Sequence, residues 1–303
     1  MEAFEYVAPR SLAEAYGLLG NGKRSQFLAG GTDIIVQLRE RRKSCDQLID
    51  LKKIPETTGF RFEPDGSLSI GAATACAELY ENAEILRRLP GLVDAASLIG
   101  GIQIQSRASL GGNLSNASPA ADSSPALMAL GAQLVIGSAS GQRTIPIEEY
   151  FTGPGRNALQ TGELLVRIIV PSQPTRSGTF YHRFIPRNEM DIAVASAGVR
   201  LVLNAAGDRI ESARVALGAV GSDAAHGPRR RSSARRTGAR AGGLCEGSRS
   251  GRSNREPNYG HARFGRSKEA SHRRPHPSRP RRGAQARSGG SLTLCHERLS
   301  RPA

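Results

Sequence analysis

Residues 106 to 132 read SRASLGGNLSNASPAADSSPALMALGA, and the rest of the chain is best read outward from this string. Gly111 and Gly112 carry no Cβ, so the main chain there can approach a ligand closely, and Asn113 can turn an oxygen or amide toward a phosphate or ribose. A second glycine pair lies upstream in AGGTDI, residues 29 to 34. There the short apolar run SQFLAGG ends and DIIVQLRER takes up helical periodicity, so a glycine turn joins a strand to a helix and leaves backbone N–H groups free. Two such turns could grip the two phosphates of a dinucleotide. Each could equally be an ordinary tight turn or helix cap, and neither fits a Walker or Rossmann fingerprint.

Around these turns the chain divides into four stretches. Residues 1–55 alternate helix-like SLAEAYGLL and strand-like QLIDLKKI into a small α/β unit. Residues 56–175 form a larger mixed unit. It starts with the strand SLSIGAAT after the turn at Pro64, Asp65 and Gly66, and runs through the helical AELYENAEILRRLPGLVDAASLI to the apolar PALMALGAQLVIGS. Residues 176–220 read as strands, with a hairpin closing at Ala206, Gly207 and Asp208, and open a third domain. Residues 221–303 hold four branched aliphatic residues, Leu244, Leu292, Leu294 and Leu299, too few for a core, so this stretch is expected to be disordered.

Charge divides at the same place. The last 83 residues carry 20 basic and 5 acidic side chains, which accounts for the whole net charge of +15 and leaves the first 220 residues balanced. A basic reading toward nucleic acid can therefore apply only to the tail, whose RRRSSARR and RRPHPSRPRR lack interleaved aromatics, so nucleic acid is not expected as a specific partner. Cys45, Cys76, Cys245 and Cys295 form no C-x-x-C pair, and no cluster, structural zinc or disulfide framework is indicated. No apolar run is long enough for a membrane span and the N-terminus has no signal-like apolar stretch, so a cytoplasmic address is expected.

The longer strings say more than the glycine pairs. FLAGGTDIIVQLR, SRASLGGNLSNASPAADSSPALMALGA and RNEMDIAVASAGVRL resemble, in this order, the FAD-binding medium subunit of the xanthine dehydrogenase and aerobic carbon monoxide dehydrogenase family of molybdenum hydroxylases. The likeness runs from about Phe4 to about Val220 and includes the opening FEYVAPRSLAEAYGLL. It implies an α+β fold in which two subdomains clasp FAD in the manner of the vanillyl-alcohol oxidase (PCMH) type, followed by a C-terminal α+β domain that this chain leaves incomplete.

By the same resemblance, Ala29, Gly30, Gly31, Thr32 and Asp33 would line one side of the FAD pyrophosphate, and Ser109, Gly111, Gly112 and Asn113 the other. Asn116 and Asp122 would follow as polar contacts. Asp122 could accept from ribose hydroxyls or cap the helix SSPALMAL, or do both. Arg183, with Tyr181, stands where the family places a basic or aromatic residue near the isoalloxazine, although an Arg on a half-buried strand can also be simply ion-paired. Arg107 could meet a phosphate or be a surface charge.

The implied role is electron relay from the iron-sulfur clusters of a small subunit, fed by a molybdenum-cofactor large subunit, through FAD to a terminal acceptor such as NAD, oxygen or quinone. No catalytic acid, base or nucleophile and no metal site is expected in this chain. A stand-alone FAD oxidoreductase of the same fold is the rival enzyme reading. For the tail, GC-rich codons give Arg, Gly, Ala, Pro and Ser in any frame, so an out-of-frame translation is expected ahead of a genuine basic arm that binds nucleic acid nonspecifically or a non-functional truncated product.

Overall fold

The computed structural model describes residues 1–187 and 191–220. The expectations for residues 221–303 lie outside the described residues.

The first unit is a short βαβαβ run. Strand β1 (Glu5–Val7) leads to helix α1 (Leu12–Leu19), then β2 (Ser25–Leu28), α2 (Ile34–Arg39) and β3 (Gln47–Asp50). Ser11 starts α1 by accepting from the Glu14 amide, while the Glu14 carboxylate accepts from the Arg10 amide. The three strands are parallel in the order β1, β3, β2, with Val7 and Phe27 both opposite Ile49. Because β3 is central, all four of its residues are buried, including Gln47 and Asp50. Two short 3-10 turns, Leu51–Lys53 and Pro55–Thr57, then carry the chain out of this sheet.

A five-stranded antiparallel sheet follows. Strands β4 (Phe60–Phe62) and β5 (Leu68–Gly71) form a hairpin around Gly66, whose φ of 81° places it in the left-handed region. Next come the helices α3 (Cys76–Tyr80), α4 (Ala83–Arg88), α5 (Pro90–Ala96), α6 (Ile102–Gln105), α7 (Leu110–Asn116) and α8 (Ser123–Leu130). Strands β6 (Gln133–Ser138), β7 (Gly141–Pro146), the small hairpin β8 (Phe151–Gly153) and β9 (Arg156–Asn157), and β10 (Leu164–Val170) complete this part, with sheet order β4, β5, β10, β6, β7.

The stretch 77–99, which reads as one helical run, is instead three short helices. Asn82 starts a new helix by accepting from the Glu84 and Ile85 amides, and Pro90 opens the next one at its first turn. A second difference falls at Gly111 and Gly112, which lie inside the first turn of α7 instead of in a separate turn. Ser109 caps that helix by accepting from the Gly112 amide.

Helix α8 is buried on every side, so it has no polar face to expose. On one side it joins the main core with Leu110, Leu114, Leu134, Tyr150 and Ile168. On the other it meets the last sheet, the antiparallel set β11 (Ser177–Phe184), β12 (Ala195–Leu203) and β13 (Ile210–Gly218). Asn204 closes the β12–β13 hairpin by accepting from the amides of Gly207, Asp208 and Arg209. Tyr181 of β11 packs with Ala95 and Ala126 under that sheet. Ala73, Leu164 and Val166 pack with Ala15, Ile49 and Leu51, which fixes the first unit against β10. Among the described residues no helix is long and apolar enough to cross a membrane.

Candidate functional site

The loop after β2 and the start of α7 meet at one place. A Cβ added to Gly30 would stand 2.0 Å from the carbonyl oxygen of Arg107, and one added to Gly111 would stand 2.3 Å from that of Ala72. Both glycines are therefore needed for backbone to lie on backbone. Gly31 has a φ of 85°, which a side chain would strain, and it turns the chain into α2. The two segments come close although nearly 80 residues of sequence separate them.

Between them lies a cavity of about 440 Å³, within the size range of small-molecule and cofactor sites. Ala29, Gly30, Gly31, Thr32 and Asp33 line one wall, and Ser109, Gly111, Gly112, Asn113 and Asn116 line the facing one. Among the described residues, the amides of Gly30, Gly31, Thr32 and Asp33 donate no hydrogen bond within the chain. The side chain of Asp33, at the start of α2, makes no cap bond either. Four neighbouring donors without acceptors, on a wall that cannot accommodate a Cβ at Gly30, fit a diphosphate. Phe27, Ile99 and Leu165 supply apolar surface to the same cavity, as the flat rings of a dinucleotide require.

Several wall residues are held by their neighbours. Asn113 accepts at Oδ1 from the Ser123 hydroxyl at 2.6 Å, and Asn116 accepts from Gln37 Nε2 at 3.0 Å, so α7 is tied to both α8 and α2. Behind the first glycine turn, Lys52 Nζ donates to the Ala29 carbonyl at 2.8 Å and to Asp50 Oδ1 at 2.6 Å. Tyr6 donates to Asp50 Oδ2, also at 2.6 Å. Burial alone would raise the Asp50 carboxyl, but the bonds from Lys52 and Tyr6 more than offset it, and its pKa lies below the ordinary 3.8.

Asp122 and Arg183 do not line the cavity. Asp122 sits at the N-cap position of α8 without making a cap bond, because its oxygens are engaged elsewhere. Its Oδ1 accepts from Tyr181 at 2.7 Å and its Oδ2 from Arg183 Nη1 at 3.0 Å, with both side chains of the ion pair buried. Burial pushes the Asp122 carboxyl above its ordinary value in spite of the Tyr181 and Arg183 bonds. The same burial, reinforced by the Asp122 charge, pushes the Tyr181 phenol up. Arg107 is exposed, and its backbone carbonyl is what meets Gly30.

The wall also contains residues that the sequence reading did not single out. Lys43, at the end of the α2 segment, and Thr152, Arg156 and Asn157 of the β8–β9 hairpin all reach it. That hairpin is docked on α7 by Asn157 Nδ2 donating to the Ser115 carbonyl and by the Gly155 amide donating to that of Ala117. The one sequence signal available there was a pair of glycines, Gly153 and Gly155, flanking Pro154 and followed by Arg156.

Comparison with known proteins shows the family. The family described as the FAD binding domain in molybdopterin dehydrogenase matches residues 2–173. The xanthine dehydrogenase FAD-binding subunit of Escherichia coli O157:H7 is 37% identical over 189 residues, which cover 62% of this chain and 65% of that one. The chain thus spans a little under two thirds of that relative's length. The carbon monoxide dehydrogenase medium chain of Hydrogenophaga pseudoflava is 34% identical over 215 residues, covering 71% of this chain and 74% of that one. Among solved structures, carbon monoxide dehydrogenase from the same organism superimposes with a TM-score of 0.69 at 32% identity, over 73% of this chain and 76% of its own. Quinoline 2-oxidoreductase from Pseudomonas putida 86 gives 0.67 at 27% identity, over 73% and 76%. The fold and the matched residues agree, and the chain belongs to the family of FAD binding domains in molybdopterin dehydrogenases.

Proposed function

We propose that this chain is the FAD-binding electron-transfer subunit of a molybdenum hydroxylase complex. In this reading it works in the cytoplasm beside a molybdenum-cofactor large subunit and an iron-sulfur small subunit, and passes electrons on to a terminal acceptor such as NAD, oxygen or quinone. The observation that carries it is the meeting of Gly30 and Arg107 beside a cavity whose wall holds four free amides.

FAD supplies chemistry suited to this place, because it can be loaded by single electrons and discharged two at a time. The chain's own part is to bind and orient. Gly30 to Asp33 would take one face of the diphosphate through their amides, and Ser109, Gly111, Gly112 and Asn113 the other. Asn116 would add a polar contact, and Phe27, Ile99 and Leu165 would exclude water from the ring systems. Asp122, expected at the ribose, and Arg183, expected near the isoalloxazine, lie outside the cavity and bind each other, so this reading gives them no direct contact with FAD. No proton donor or acceptor in the cavity is required for transfer of electrons.

The test is reconstitution. Full-length protein mixed with FAD should quench the flavin's fluorescence and retain a flavin absorption band after gel filtration. Added molybdenum and iron-sulfur subunits should be needed for substrate-dependent reduction of that flavin. Turnover of a substrate by the isolated chain would instead favour a stand-alone oxidoreductase, and folded protein that takes up no FAD would sink both readings.

A further inference from the structure

The glycine turn that faces the diphosphate site has a second side, and that side is built from charged groups that do not touch the cavity. Lys52 lies outside the cavity wall, yet its ammonium is 2.8 Å from the Ala29 carbonyl oxygen. In a trans peptide the N–H points opposite to the C=O. A carbonyl held toward Lys52 therefore sends the N–H of the same peptide, that of Gly30, away from Lys52, and this is one of the amides without an acceptor in the chain. A cation on the carbonyl also polarises the peptide and strengthens its N–H as a donor.

Lys52 is in turn held in place. Asp50, on the central strand β3, accepts from both the Lys52 ammonium at 2.6 Å and the Lys52 amide at 2.9 Å. Its other oxygen accepts from the Tyr6 hydroxyl of β1, and Asp50 as a whole is 5% exposed. The chain of contacts runs from β1 through β3 to the loop after β2, so all three strands of the small sheet fix one peptide plane.

We infer that Lys52 is a positioning residue for the diphosphate: held by Asp50 and Tyr6, its ammonium fixes the Ala29–Gly30 peptide so that the Gly30 N–H faces the ligand. The inference rests on the FAD-binding reading above and assigns a role to three residues outside the cavity.

The test compares FAD with riboflavin, which has the ring but no diphosphate, using full-length protein and flavin fluorescence. Lys52→Met should weaken FAD binding by about tenfold to a hundredfold, the loss of a charge-assisted hydrogen bond, and leave riboflavin binding unchanged. Lys52→Arg, which keeps a cationic donor, should restore most of the affinity. Tyr6→Phe, at a site 55% exposed and so tolerant of change, should cost a few-fold in FAD affinity without altering the melting temperature of the FAD-free protein by more than a few degrees. Equal losses for FAD and riboflavin would mean a merely structural role and overturn the inference, as would unchanged FAD affinity in Lys52→Met. Wild-type protein that binds no FAD would overturn the functional reading and this inference with it, whereas normal wild-type binding that Lys52→Met leaves intact would overturn this inference alone.

Discussion

Gly30 and Arg107 touch through their backbones: a Cβ on the first would stand 2.0 Å from the carbonyl oxygen of the second. Neither group can yield as a flexible side chain would, so Gly30→Ala must push the two walls of the cavity apart or twist one of them. The expected outcome is loss of FAD binding by about a hundredfold or more, with a loss of about 1–3 kcal/mol in stability from overpacking. Flavin retention after gel filtration and urea unfolding measure the two effects. Full retention of FAD by Gly30→Ala would show that the close approach does not set the site.

The buried set of Asp122, Tyr181 and Arg183 makes a second prediction, on stability. Asp122 is the acceptor for Arg183 among the described residues, and Arg183 Nε is buried without a partner already. Asp122→Ala would leave a guanidinium buried and unpaired, which costs about 3–5 kcal/mol. At about 2–4 °C per kcal/mol for a protein of this size, the melting temperature should fall by about 10 °C. Tyr181→Phe removes one hydrogen bond to the same carboxylate and should cost only about 1–2 kcal/mol. Equal effects from the two variants would mean that the ion pair is not the dominant interaction there.

The Asp50 carboxylate gives a prediction on pH. Its pKa in the folded protein lies below its ordinary 3.8, so the folded state favours the charged form. A depressed carboxyl contributes stability that is present above the unfolded value and is lost as pH falls through the folded one. Wild type should therefore melt well above Asp50→Asn near neutral pH, and the two curves should converge as pH drops below about 3.8. A gap that stays constant down to acid unfolding would remove Asp50 as its source.

How much of this was legible in the sequence differs from one part of the site to another. The two glycine segments were readable because glycine is uncommon where bulk is tolerated, and both do meet one cavity. That Gly111 and Gly112 would be helical was not readable, since glycine is a poor helix former. Packing on Ala72 and the Ser109 cap override that local preference. The breaks in the run 77–99 were readable in principle, from Asn82 as a cap and Pro90 as a first-turn residue, but its apolar periodicity hid them. Lys52 was not, because its partner is a backbone carbonyl more than 20 residues away and nothing in a lysine's neighbours encodes that distance. Asp122 and Arg183 were read as separate cofactor contacts. Their mutual pairing depends on how β11 lies against α8, and local pattern does not specify that packing.

The cations on the cavity wall give the last prediction. Lys43 and Arg156 approach the cavity from different elements, and among the described residues neither is ion-paired with a carboxylate. A diphosphate placed there would bring two negative charges near two exposed positive ones. Exposed pairs of this kind contribute roughly 0.2–1 kcal/mol each and are screened by salt. FAD affinity should accordingly fall as salt is raised from about 0.05 to about 0.5 M. Lys43→Gln and Arg156→Gln should each lower the affinity by about two- to fivefold at low salt and flatten the salt dependence, while riboflavin binding responds to neither change. If the variants keep the full wild-type salt slope, the charge that attracts the diphosphate must lie elsewhere, and the free amides of Gly30 to Asp33 would then have to hold it without help from the β8–β9 hairpin.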